Sequence, residues 1–232
     1  MKRTLLIITA LMAAALSYAQ RVEGTIKVRA RQDLVRALPK DIAYLLPEFS
    51  DGVVDFTDGT SSPGRINICN LDNSVRFINT AGDTLLLSGA DRVSRVIVNG
   101  TVYAKVADQG FLRQKAVYGK LSLCERRRLT VEPVKEDAGY SGIPATSTAR
   151  GARMVQIDHD YMETGEREIS YMLRTDVVLT DGSEIYVSKS STFNKLFPQA
   201  KKAAKAFVKS NKTDFQDLDS AAQLFLFCAE QK

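Results

Sequence analysis

The chain has 232 residues, 44% of them hydrophobic and 25% charged, with a formal net charge of +5. That length suits one large domain or two small ones, and so mild a positive balance gives no footprint for nucleic acid as a partner. With one His and no Trp, most nucleophile arrangements that need an oriented imidazole base are removed at the outset.

The N-terminus reads first as an export signal. Lys2 and Arg3 precede an uncharged apolar run from Leu5 to Leu16, and Ser17-Tyr18-Ala19 puts small residues at the two positions a signal peptidase reads. Residues 1–19 are therefore expected to be a cleaved signal peptide, with Gln20 opening the mature chain. At about 1.5 Å rise per residue the run falls short of a hydrocarbon core about 30 Å thick. No Cys stands near the cleavage point to accept a lipid, the three being Cys69, Cys124 and Cys228. The expectation is an exported protein, periplasmic or extracellular, that is not a lipoprotein and has no transmembrane segment after cleavage.

From about Gly52 to Val187 the pattern is one of short strands punctuated by glycine turns, centred on Asp58-Gly59, Gly82-Asp83, Asn99-Gly100, Gly119-Lys120, Gly165-Glu166 and Asp181-Gly182. Val93 to Val98, Asn99-Gly100 and Thr101 to Val106 predict a hairpin, because Asn-Gly supplies the two positive-φ residues of a two-residue loop. In Ser74 to Asn79, alternation sends Val75 and Phe77 to one side and Arg76 and Ile78 to the other. Residues 136–150, with Gly139, Gly142 and Pro144, have no period and read as a long loop.

From Ser190 the spacing turns helical. Pro198 suits a first helical turn, after which Ala200, Ala203, Ala204, Phe207 and Val208 share one face and Lys201, Lys202, Lys205 and Lys209 lie largely on the other. Asn211 is a plausible stop. Thr213 or Asp217 is the expected cap of a second helix carrying Leu218, Ala222, Phe225 and Ala229. The predicted fold is α+β and mainly β: a β-rich region, 20–188, whose strands form an antiparallel meander of successive hairpins from about Gly52, with a short C-terminal helical unit, 189–232, docked on it.

Three cysteines in an oxidising compartment allow one disulfide and a leftover thiol. Their wide separation gives no framework, and Cys228 sits in the apolar run Leu224 to Ala229, so three buried thiols are expected.

The runs Leu46-Pro47, Phe49, Gly52, Val54, Phe56, Asp58-Gly59 and Gly82-Asp83-Thr84-Leu85, with Asp108 to Leu112 and the tail residues Leu196-Phe197-Pro198, Phe207 and Asp214-Phe215, resemble a broad group of exported proteins of Gram-negative bacteria with no assigned activity. The resemblance covers most of the mature chain. Its residues are turn and core positions, so it implies shared export and fold and transfers no site.

Candidate chemistry is sparse. His159, in Ile157-Asp158-His159-Asp160-Tyr161, invites a metal reading, but on a strand its side chain would point away from both flanking carboxylates. A metal would then need ligands from elsewhere, and a packed histidine is the simpler expectation. Gly139-Tyr140-Ser141-Gly142 lacks the spacing and the strand-to-helix setting of a nucleophile elbow. No phosphate loop or dinucleotide fingerprint implies a cofactor. Two carboxylates could run glycoside hydrolysis without a histidine, although sequence alone does not pair them.

Arg126-Arg127-Arg128 is the densest positive cluster. It suits an anionic surface component such as lipid headgroups or acidic glycans. On a strand, Arg127 would point opposite to the other two, and a solvated strand edge is the plainer expectation. The function expected is a non-enzymatic envelope binding or interaction module, its partner an envelope protein or an anionic surface component. An exported hydrolase and a periplasmic stress or assembly factor are the alternatives.

Overall fold

The computed structural model describes residues 21–29, 32–134 and 166–231. The expected leader, the 136–150 loop, Gly165 and His159 lie outside them.

Among the described residues, eleven strands and five α-helices follow in order. After β1 (Arg21–Arg29) come two single-turn helices, α1 (Leu34–Ala37) and α2 (Lys40–Ala43). Then follow β2 (Ser50–Phe56), β3 (Ser61–Ile68), β4 (Val75–Ile78), β5 (Thr84–Leu86), β6 (Val93–Val98), β7 (Thr101–Val106), β8 (Gly110–Tyr118) and β9 (Leu121–Pro133). The chain ends with β10 (Glu166–Thr180), β11 (Ile185–Val187), α3 (Ser190–Leu196), α4 (Lys201–Asn211) and α5 (Leu218–Glu230).

All the strands join one sheet in the order β1-β10-β9-β8-β7-β6-β2-β3-β4-β5, with β11 also on β10. The predicted hairpin is present: β6 pairs with β7 from Val98↔Thr101 outward, and Asn99 and Gly100 have φ of 50° and 73°. Two runs of hairpins, β2 to β5 and β6 to β9, are joined where β6 returns to lie beside β2, and β10 pairs antiparallel with β9. β1, in the part of the β-rich region where no individual strand is predicted, pairs along residues 166–174 of β10, and β11 takes residues 178–180.

Directly opposed residues of antiparallel strands project to the same face, so the registers sort the side chains. Leu123, Val177 and Leu179 belong to one face and pack under the C-terminal helices. Leu129, Leu173 and Tyr171 lie on the same face toward the other end of β9 and β10, where they meet Val35 of α1 with Ile42 and Ala43 of α2. That face continues through Val54, Val96 and Tyr103 into a second apolar cluster with Ile66 and Val75.

Two buried asparagines tie α2 and the segment after it to β3 and the turn that follows β3. Asn67 Nδ2 donates to the Leu46 carbonyl at 3.0 Å while its Oδ1 accepts from Leu46 N at 3.0 Å, and Asn70 Nδ2 donates to the Ile42 carbonyl at 2.9 Å. Each amide thereby satisfies main-chain groups that have no strand ladder of their own.

The helical unit follows the sequence closely. Pro198 opens a 3-10 turn that runs into α4. Lys212, at φ 50°, closes that helix, and Asp217 caps α5 by accepting from Ser220 N at 2.7 Å. Phe193, Phe197 and Phe225 are buried together: Phe193 stacks on Phe197 with ring centroids 6.3 Å apart, and Phe225 meets Phe197 edge-on at 5.4 Å. On β8, the register skips at Lys115, and that ammonium reaches Asp219 in the first turn of α5 at 2.6 Å.

Gly110 stands where β8 begins, with φ 76° and ψ −146°, a conformation open only to glycine. A Cβ there would lie 2.1 Å from Asn73 Oδ1. Gly110→Ala is therefore expected to cost about 1–3 kcal/mol, read by urea unfolding; Gly100→Ala, which meets nothing within 4 Å, should cost less.

Candidate functional site

The three arginines lie on β9, which pairs with β10 through all three and with β8 only over residues 121–125. The solvated-edge expectation holds in part: the β8 ladder stops before the arginines, yet Arg126 is buried, Arg127 half-buried and only Arg128 exposed. The alternation expectation holds. Arg126 and Arg128 share a face, and Arg127 turns to the other, where Nη1 donates to the Leu45 carbonyl at 3.1 Å.

Arg126 is 7% exposed. Its Nη1 donates to Gln109 Oε1 at 2.9 Å and its Nη2 to Asp176 Oδ2 at 3.1 Å, while Nε is buried without a partner. Arg128 Nη2 donates to the same Asp176 Oδ2 at 2.7 Å. Burial, and then Arg128, push the Arg126 pKa down from its ordinary value, while Asp176 opposes them. One carboxylate therefore serves two guanidiniums.

The registers extend this patch across three strands. Arg128 is directly opposite Arg174 of β10, and Arg174 is directly opposite Arg21 of β1, so three guanidiniums form one row. Arg21 bonds Glu23, whereas Arg174 has no carboxylate partner among the described residues. Two residues along, Thr130, Met172 and Glu23 form the next row, and beyond it stand Glu132, Ser170 and Thr25. Rows about 6.8 Å apart on strands ~4.8 Å apart make a face of about 10 by 14 Å. An open trough of about 420 Å³ runs over the second and third rows and reaches Arg21.

The sequence singled out Arg128 and missed Arg174, Arg21 and Asp176. Arg128 and Asp176 are 48 positions apart, and only the β9–β10 register puts them together.

A second concavity, about 460 Å³, lies beside Asp55, Ser61 and Arg95. Asp55 is already held there: Ser61 donates to it at 2.7 Å and Arg95 at 2.6 Å. These hydrogen bonds, Ser61's first, lower its carboxyl pKa below the ordinary value, which disfavours a role as general acid. Among the described residues no three His, Cys, Asp or Glu side chains converge as a metal set.

The three cysteines are buried and unbridged. Burial raises the thiol of Cys69 to about 11, Cys124 to about 12 and Cys228 to about 11. A thiol disulfide reagent at pH 8 is expected to leave all three unmodified in the folded protein and to modify all three in 6 M guanidinium. Fast reaction of the native protein would show that the burial opens.

No family model, curated protein or solved structure matches the chain. Its class rests on its own geometry: a mainly antiparallel sheet with a C-terminal helical unit, carrying a charged and hydroxylated trough on the sheet face opposite the helices. No described helix is long and apolar enough to cross a membrane.

Proposed function

We propose that the protein is an exported, non-enzymatic binding module of the bacterial envelope, and that the face built from β1, β10 and β9 receives its ligand. The carrying observation is the row Arg21, Arg174 and Arg128, which enters the lining of an open trough of about 420 Å³ at Arg21, a volume within the range of about 300–1,000 Å³ typical of small-ligand sites. Like charges directly opposed across strands destabilise the pairing, so an arginine row beside a concavity fits a face completed by an anion. The leader pattern at residues 1–19 supports export.

The test begins with the full chain in a Gram-negative host, followed by fractionation and N-terminal sequencing of the product. The purified protein is then sedimented with isolated envelope material, and the supernatant is assayed for released fragments. Recovery outside the cytoplasm starting at Gln20, with co-sedimentation and no released fragments, supports the reading. Cytoplasmic retention of residues 1–19, failure to sediment, or release of soluble fragments overturns it.

A further inference from the structure

We infer that the β1-β10-β9 face binds an acidic saccharide, its anionic group seated over Arg174 and Arg128 and its sugar hydroxyls lodged in the trough beside them. The inference rests on the proposed binding function and names the chemistry of the ligand.

The anion seat follows from the charge arrangement. Asp176 Oδ2 accepts from both Arg126 and Arg128, and Glu23 engages Arg21. Arg174 stands between Arg21 and Arg128 in the row, exposed, with no carboxylate partner among the described residues. A carboxylate, sulfate or phosphate placed between Arg174 and Arg128 would accept from both guanidiniums, whose planar forks suit such groups. Arg126 contributes by position: held by Gln109 and Asp176 with its Nε enclosed, it keeps a fixed positive charge one row along from the seat.

The saccharide preference follows from the next two rows. Hydroxyls of Thr130 and Thr25 can each donate or accept, Ser170 Oγ donates to the Glu132 carbonyl at 3.1 Å and is left to accept, and the carboxylates of Glu23 and Glu132 accept only. Sugar hydroxyls offer both functions at short spacing. Met172, half-buried at the centre of the trough, gives the C–H face of a sugar ring an apolar, polarizable floor. A phospholipid headgroup would use the arginines and leave the two glutamates facing a like-charged surface.

The experiment is a calorimetric titration of the mature protein with tetragalacturonate, a sulfated heparin tetrasaccharide, glucose 1-phosphate, neutral maltotetraose and inorganic phosphate. At least one acidic saccharide should bind at least tenfold more tightly than both maltotetraose and phosphate, and the affinity should fall with added salt. Arg174→Gln removes a side chain with no carboxylate partner among the described residues, so the fold should persist while that affinity drops at least tenfold. Ser170→Ala with Thr130→Ala should weaken the saccharide several-fold and leave phosphate unchanged.

Binding of none of the three acidic saccharides overturns the inference, as does an affinity unaffected by Arg174→Gln. Phosphate binding as tightly as the saccharides, or preferential binding to vesicles containing phosphatidylglycerol, overturns the saccharide assignment. If the protein still sediments with envelope material after Arg174→Gln and the saccharides fail, the binding function stands and this ligand class falls.

Discussion

Asp176→Ala is expected to destabilise the fold by about 3–5 kcal/mol, because it leaves the Arg126 guanidinium buried without its counter-charge. Arg126 and Asp176 side chains are 8% and 13% exposed, and Arg126 cannot turn to water without breaking its bond to Gln109. At about 2–4 °C per kcal/mol for a chain of this size, thermal unfolding followed by circular dichroism should fall by roughly 6–20 °C. Replacing both partners, Arg126→Met with Asp176→Leu, should recover most of the loss, since a buried pair exchanged for apolar side chains is often neutral. A single variant within about 1 kcal/mol of the parent would show that the pair is solvated in solution and that Arg126 is not a fixed charge.

The second large effect belongs to the helical unit. Phe225 is fully buried, packed edge-on against Phe197, and its neighbours include Leu123, Val177 and Leu179 of the sheet. Phe225→Ala is expected to cost about 3–5 kcal/mol, read by urea unfolding, while Phe225→Leu should keep most of the stability. Truncation after Val187 should go further, stripping the cover from those three sheet residues and sending the protein into the insoluble fraction. A truncated chain as soluble and heat-stable as the parent would show that the helices are not part of the core.

The local elements were legible because their causes are local. Asn99-Gly100 fixes a hairpin through backbone conformation alone, and the lysine and alanine alternation of α4 fixes its wet and dry faces. Asp217 caps α5 because a carboxylate beside a helix start meets free N–H groups. The single-turn helices α1 and α2 were not legible, since four residues give too little period to read. β1 was missed because an edge strand with charged residues at Arg21, Glu23, Lys27 and Arg29 shows little apolar signal.

The candidate site was legible only in part, and Arg126-Arg127-Arg128 shows why. Alternation correctly separated Arg127 from its neighbours, since side-chain direction on a strand is a property of the strand itself. Whether that strand is an edge depends on what pairs with it, and the partners come from distant parts of the chain.

The sequence by itself determined the turns at Gly59, Gly82, Gly100, Gly119 and Gly182, the main strand and helix periods and the burial of the cysteines, all set by the conformational and solvation preferences of neighbouring residues. Only the tertiary structure decided that β6 returns beside β2, that β1 closes on β10, and that Arg21, Arg174 and Arg128 share one row. Strand pairing is a non-local choice in which a shift of one residue reverses every side chain, so a binding face assembled from three strands exists only once their register is set.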